Sequence, residues 1–518
     1  MEQENNAIPG GIEELRVREA QARQMGGPEK IARQHAKGRL TARERIHRLV
    51  DKASFYEVGL LAVSERPEVR DKTPADGKVC GYARIEGRPI GLTADDVTVM
   101  AGAGGYVGYH KENEVHQYAI QKGYPIVHLG DAGGVRIPDA MGAVGNMRIL
   151  FDARSAPRHR FVPALTAIMG ECYGGPTWQA SVSDIVVQVK GAHMAVVGPS
   201  ILEAANNDAT QTHELGSWEM HAHQTGSVDL FAENDIEALH LLRKALSYLP
   251  DNAGQLPPRA ESRPPSRFKQ NALLDIFPPD SRYAYDMHQV LDCIVDQDSL
   301  LELKPFYDGS LITALARLEG QVVGILANNP KVNAGGMGAG ACEKAVSFIV
   351  LCDSFHIPLI FLHDTPGFYT SVRAEEQRIP VKIMNWVNAY QYCTVPRISV
   401  YLRRSYGAAS HLMMGANMGG DFVLAWPTAD ISFTAPEVAL NVVLGRKLKE
   451  APNPEAMRRN FLDELAKMNA PWEAAGLGYI DKIIDPRHTR PELIRALEIS
   501  KGHKGGLSER RLAAWNKM

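Results

Sequence analysis

The chain has 518 residues, 45% of them apolar and 23% charged, with a formal net charge of −3. This is the composition of an ordinary globular protein, and the near-neutral balance leaves no electrostatic footprint for nucleic acid or an anionic membrane surface. The six cysteines (Cys80, Cys172, Cys293, Cys342, Cys352, Cys393) include no CxxC pair, so a zinc ribbon is unsupported and reduced thiols are the simplest reading.

The first residues, MEQENNAIPGG, are polar and acidic with no apolar signal core. With no run of ~18 apolar residues anywhere, a soluble, cytoplasmic protein is expected. Residues 1–75 read as an N-terminal helical segment. Within it, KGRLTARERIHRLVD spaces Leu40, Ile46, Leu49 and Val50 helically, with Thr41 as N-cap and Glu44 three residues on. A first domain spans 76–250. Its sequence predicts a hairpin around Glu86-Gly87, a helix in HKENEVHQYAIQKG and buried strands in YPIVHLGD, VPALTAIMG, SDIVVQVK and MAVVGP. Residues 251–270, with Pro257, Pro258, Pro264 and Pro265, read as a linker to a second domain over 271–518. There NAGGMGAG (333–340) leads into a helix, without the context of a dinucleotide fingerprint.

The second domain repeats the first. Val395, Pro396, Tyr406 and Gly407 lie 233 positions after Val162, Pro163, Tyr173 and Gly174. The same offset carries ARIEG to ARLEG, Pro125 to Pro358, Asp131 to Asp364 and Gly134 to Gly367. After a four-residue slip, Asp184 pairs with Asp421 and Pro199 with Pro436. A tandem duplication of one α/β domain explains these ordered matches.

The chain contains no GxSxG, HExxH or P-loop pattern. His221-Ala-His223 reads as an exposed turn rather than a metal site, and no metal is expected. The duplicated loops offer paired backbone N–H groups instead, at Gly174-Gly175 and Gly407-Ala408-Ala409, where a glycine turn opens a helix. Preorganised amides of this kind stabilise negative charge on oxygen. Two such sites suggest two reacting groups.

The strings LTARERI, DAGGVRI, MGECYGG, DTPGF, SYGAAS and LAWPTA occur in order over about residues 25–500. Together they resemble the carboxyltransferase (β) subunits of biotin-dependent acyl-CoA carboxylases, of the propionyl-CoA carboxylase type. The resemblance implies two tandem crotonase-like ββα-spiral domains, dimers stacked into a hexamer, and an active site between the first domain of one subunit and the second domain of its partner. It implies that Gly174 and Gly175 hold the thioester oxygen of an acyl-CoA, and that Ala408 and Ala409 hold the ureido oxygen of biotin. Gly133, Gly134, Tyr173 and His411 would bind the acyl-CoA. Thr365, Pro366, Gly367, Phe368 and Gly407 would line the biotin side.

No biotin-attachment lysine loop or ATP-grasp pattern is present in the chain. The resemblance therefore implies biotin carried by a partner biotin carboxylase or carrier subunit. The chain departs from the family pattern at MGAG-ACEKAVSF, at AEEQRIPVKIMNW after the PGF motif, and at His411. The same chemistry run in reverse would make an acyl-CoA decarboxylase. Retention of the fold without biotin chemistry would leave a CoA-binding scaffold.

Overall fold

The computed structural model describes residues 7–149, 158–206, 214–278 and 283–516; the start of the polar N-terminal stretch lies outside the described residues. Two compact units are present, Met1–Ala253 and Gly254–Met518. The segment expected as a linker is divided between them, and the helix Arg267–Ile276, capped by Ser266, begins inside it.

Unit 1 carries strands β1 (Tyr56–Val58), β2 (Lys78–Ile85), β3 (Arg88–Asp95), β4 (Ile126–Gly130), β5 (Ala164–Ile168), β6 (Glu171–Tyr173), β7 (Ile185–Val189), β8 (His193–Ala195) and β9 (Leu230–Ala232). Its main sheet runs β1-β2-β3-β4-β5-β7-β9, antiparallel as far as β3 and parallel beyond, while β6 and β8 pair separately. Unit 2 carries β10 (Leu301–Leu303), β11 (Leu311–Leu318), β12 (Gln321–Asn328), β13 (Leu359–Thr365), β14 (Arg397–Tyr406), β15 (Phe422–Ala425), β16 (Asp430–Ser432) and β17 (Lys482–Ile483). Its order, β10-β11-β12-β13-β14-β15-β17, repeats that of unit 1, and β16 pairs the end of β14 as β8 pairs β6. The strand expected throughout MAVVGP is shorter than its apolar run. Only His193–Ala195 finds a partner, because β6 is itself three residues long.

The aspartates that recur in the sequence turn out to end strands and close turns. Asp184 accepts the Ala164 N–H at 2.9 Å, and Asp421 accepts the Arg397 N–H at 2.8 Å. At the first hairpin Glu86 and Gly87 both have positive φ, +53° and +78°, the conformation of a type I′ turn. Asp51 accepts both of their N–H groups, and Asp296 does the same for Glu319 and Gly320 in unit 2.

Thr41 caps the helix Ala42–Leu49 through a capping box with Glu44. Ile46 and Leu49 are buried on its inner face, worth roughly 1.5–3 kcal/mol each. Beside them Arg45, 0% exposed, donates to Asp131 and to Asp235, both at 2.8 Å. Arg45→Ala would leave two carboxylates buried without their cation, a class of change that costs about 3–5 kcal/mol. Denaturant unfolding should show a loss of that order, while Arg16→Ala, in an exposed pair with Glu13, should leave the midpoint unchanged.

Candidate active site

In unit 1 two loops meet. One is Asp131-Ala132-Gly133-Gly134, leaving β4; the other is the turn from β6 into the helix Gly175–Val182. Tyr173 N–H donates to Ala132 O at 3.1 Å, and a methyl on Gly134 would lie 3.0 Å from the Tyr173 carbonyl oxygen at φ +100°. The loops can approach this closely only because position 134 is glycine.

The backbone partners decide which amides are available. Gly174, at φ +64°, donates its N–H to Ala195 O at 3.1 Å, and Gly133 donates to Ala101 O at 3.0 Å. This corrects the expectation for Gly174, whose amide is held by β8 and whose role is to turn the chain into the helix. The N–H groups of Gly134 and Gly175 make no hydrogen bond among the described residues. Each loop thus contributes an amide without an acceptor.

Tyr109 forms the floor beside them. Its hydroxyl would lie 3.0 Å from a methyl on Gly175, and Lys78 Nζ sits 4.8 Å from its ring centroid. Burial pushes the phenol up to about 12. Lys78 is buried too, but Asp95 and Glu112 hold it well above its ordinary value. Glu112, despite burial, is lowered to about 2 by Lys78 and His128, whereas burial lowers His116 to about 4. Asp95 in turn accepts the Asp131 N–H at 3.1 Å, so this ionic cluster underlies the glycine loop.

Unit 2 builds the matching turn with different chemistry. Gly407, at φ +61°, opens the helix Gly407–Leu412. Gly367 N–H is taken by the Thr365 hydroxyl at 3.2 Å, and that hydroxyl donates to Gly335 O at 2.8 Å. Thr365 is therefore a buried brace, and Phe368, half-buried, packs against Ala339, Ala374 and Ile379. Pro366 and Gly367 are half-buried between them.

A cleft of about 520 Å³ opens at this turn, lined by Gly407, Ala408 and His411 with Tyr401, Ser410, Asn417, Phe433 and Tyr479. Ala409, expected to hold the ureido oxygen together with Ala408, is fully buried and does not line this cleft. His411 is exposed and shares the cleft with Gly407 and Ala408. Gly133, Gly134 and Tyr173, grouped with it on sequence, belong to unit 1. His221 is not the exposed turn residue expected: it is buried, and its Nε2 lies 2.6 Å from Met194 O.

A family model described as carboxyl transferase domain matches residues 33–511. The chain belongs to the carboxyl transferase family. The 12S subunit of methylmalonyl-CoA carboxyltransferase from Propionibacterium freudenreichii subsp. shermanii is 35% identical over 502 residues, covering 95% of each chain. The methylmalonyl-CoA decarboxylase subunit alpha of Veillonella parvula is 33% identical, covering 94% of this chain and 95% of that one. A solved transcarboxylase 12S structure, with methylmalonyl-coenzyme A and methylmalonic acid bound, superposes at a TM-score of 0.88 with 34% identity, covering 96% of each chain. The carboxyltransferase is thus an enzyme with the tandem crotonase-like fold. No helix among the described residues is long and apolar enough to cross a membrane.

The ionic floor has a measurable consequence. His116, held near 4 when folded against 6.5 unperturbed, takes up its proton more readily in the unfolded chain. Stability should fall as pH drops from about 6.5 to about 4, and level off below that for this residue. The difference is worth roughly 3 kcal/mol. His116→Gln should flatten the slope of unfolding free energy across that window, measured at matched ionic strength.

Proposed function

We propose that the carboxyltransferase moves CO2 from carboxybiotin, borne on a partner subunit, to the α-carbon of an acyl-CoA through an enolate. The single observation that carries this reading is the recurrence, at one topological position in both units, of a glycine turn opening a helix. Each has a second glycine loop beside it. In unit 1 the N–H groups of Gly134 and Gly175 stabilise the negative charge that develops on the thioester oxygen as the α-proton leaves. Donors fixed before reaction need no reorganisation, which is why such a site works without a charged catalytic side chain.

In unit 2 the cleft has the volume, the aromatic wall of Phe433 and Tyr479, and the helix start at Ala408 that suit a bicyclic urea. Biotin, when bound there, supplies the carboxyl group and a basic ring nitrogen. Ala408, past the turn that Gly407 makes, holds its ureido oxygen, and exposed His411 faces what enters beside it. The domain limits are 76–250 and 271–518, joined by 251–270 and preceded by the helical segment 1–75. The working form is a cytoplasmic homo-hexamer with a biotin carboxylase and carrier partner; the solved transcarboxylase 12S relative assembles as a hexamer.

The reading is tested with purified protein, malonyl-CoA, methylmalonyl-CoA and a panel of polar acyl-CoAs, each with and without free biotin. Carboxyl loss or transfer is followed by mass spectrometry. Biotin-dependent transfer is the expected result and names the acyl class. Biotin-independent CO2 loss would make the chain a stand-alone decarboxylase, and binding of CoA esters with no turnover would make it a scaffold.

A second test separates the two units. Gly134→Ala forces a methyl against the Tyr173 carbonyl at positive φ and displaces one oxyanion donor. Such a loss is worth about 10²–10³ in kcat. The drop should appear in kcat with the KM for free biotin unchanged; an unaltered kcat would remove Gly134 from the proposed oxyanion pair.

A further inference from the structure

The floor of the unit 1 site carries a hydroxyl that the fold itself does not use. Tyr109 stands in the first turn of the helix Tyr106–Lys122. Just before that helix, Gly104 donates its N–H to Gly134 O at 3.0 Å and forms a bridge with Val135, which ties the helix start to the glycine loop. The Tyr109 ring lies across this junction. A methyl on Gly104 would meet the ring at 2.5 Å and the phenol oxygen at 3.0 Å, and a methyl on Gly175 would meet the same oxygen at 3.0 Å. The end of the side chain therefore sits between Gly104 and Gly175, where the two loops meet. Tyr109 is half-buried, and its hydroxyl makes no hydrogen bond among the described residues.

Unit 2 builds the same junction from different sizes. Met337 donates its N–H to Gly367 O at 3.1 Å and bridges Phe368; these are the positions 233 after Gly104, Gly134 and Val135. The same offset takes Tyr109 to Cys342 and Gly175 to Ala408. Unit 1 thus has one large side chain against two glycines, and unit 2 has one small side chain with larger residues at both glycine positions. Met337 and Cys342 are 0% exposed, so that version of the junction is filled without a polar end. Close packing is met by either set, and in unit 1 a phenylalanine ring would fill the space as well. Packing accounts for the ring of Tyr109 and leaves its oxygen unexplained.

The reach of that oxygen is bounded by covalent geometry. A Cβ lies about 2.5 Å from the nitrogen of its own residue, so the phenol oxygen is within about 5.5 Å of the Gly175 nitrogen. The Gly175 amide has no acceptor of its own. One oxygen atom accepting from both groups, at about 2.8 Å from each, spans that distance. The ring cannot swing away freely, because it is wedged at Gly104 and has Lys78 Nζ, itself paired with Asp95, 4.8 Å from its centroid. Burial keeps the phenol protonated, at about 12, so what it offers is a donor.

We propose that the Tyr109 hydroxyl is a third donor of the unit 1 site, closing on the same oxygen as the amides of Gly134 and Gly175. That this oxygen belongs to an acyl-CoA thioester rests on the function proposed above. Unit 2 has no counterpart, since Cys342 is buried and its thiol is a weak donor.

The test compares full-length wild type with Tyr109→Phe, which keeps the ring and removes only the oxygen. The best acyl-CoA of the panel is turned over with free biotin. Its thioether analogue, with CH2 in place of the carbonyl, serves as a competitive inhibitor that has no oxygen to receive the donor. A hydrogen bond to a charged oxygen corresponds to about a ten- to hundredfold change. Tyr109→Phe should lower kcat by that factor, with the KM for biotin, the inhibition constant of the thioether and the melting temperature unchanged. A kcat within twofold of wild type would overturn the proposal. So would a fall in kcat matched by an equal loss of thioether affinity, which would make Tyr109 a packing residue. If wild type loses CO2 without biotin, the carboxyl-transfer reading fails, but the same enolate oxygen forms and kcat for that reaction decides the role of Tyr109 by the same criteria. Wild type with no turnover of either kind would overturn both.

Discussion

Asp131 and Asp364 stand where strands β4 and β13 meet the glycine loops, 1% and 0% exposed. A carboxylate cannot remain charged at that depth without a cation and hydrogen-bond donors. Each unit meets the demand from a different part of the chain. Unit 1 brings Arg45 in from the helix Ala42–Leu49 and shares it with Asp235. Unit 2 uses Arg403 and Arg404 from the adjacent strand β14, both at hydrogen-bonding distance from Asp364. The backbone N–H of each aspartate is fixed as well, Asp131 by Asp95 and Asp364 by Asn328. Everything downstream inherits this anchoring, because Gly134 and Gly367 lie three residues beyond the pinned carboxylates. The N-terminal segment therefore completes unit 1.

Beneath those anchors the two units have diverged. Lys78, Asp95, Tyr109 and Glu112 form the ionic floor of unit 1; the positions 233 later hold Leu311, Asn328, Cys342 and Ala345. All four replacements are neutral and all are buried. Unit 2 places polar groups on the other side of the turn, where Ser405 donates to Ser410 and lies 3.0 Å from His363 Nδ1. A floor with a cation under a phenol favours charge developing on a nearby oxygen. A neutral hydroxyl wall suits an acceptor that keeps its charge. Duplication supplied the same glycine turn twice, and substitution around it separated the electrostatics of the two sites.

Much of this architecture is legible in the sequence alone. The 233-residue offset identifies the strands that correspond, and Thr41 with Glu44 marks the helix that delivers Arg45. The residues that the sequence misplaces share a physical cause. Whether Gly174 has a free amide depends on Ala195, whose strand β8 pairs with β6 from 22 positions away. No local pattern near Gly174 encodes that contact. Ala409 lies one residue past the cleft-lining Ala408, and a single helical step turns it into the core. Thr365 and Phe368 sit in the recognisable DTPGF string, yet one braces the loop and the other packs beneath it. The contact of His363 with Ser405 leaves no sequence pattern, because the two are 42 positions apart and join only when β13 lies beside β14.

The absence of a catalytic side-chain motif is itself explained by the backbone. Gly134, Gly174, Gly367 and Gly407 have φ of +100°, +64°, +127° and +61°, conformations that an L side chain adopts only under strain. These are the positions that recur at the fixed offset. The residues the duplication retains are therefore those that let the main chain present an N–H at a defined point. The residues it lets vary are those that set the field around that point. A reaction that needs charge held on two oxygens, each by preorganised amides, leaves this kind of trace in a sequence: repeated glycines, with dissimilar surroundings. A nucleophile or a metal would instead have fixed side chains with defined spacing. Among the described residues no group of three or more His, Cys, Asp or Glu is arranged to hold a metal ion.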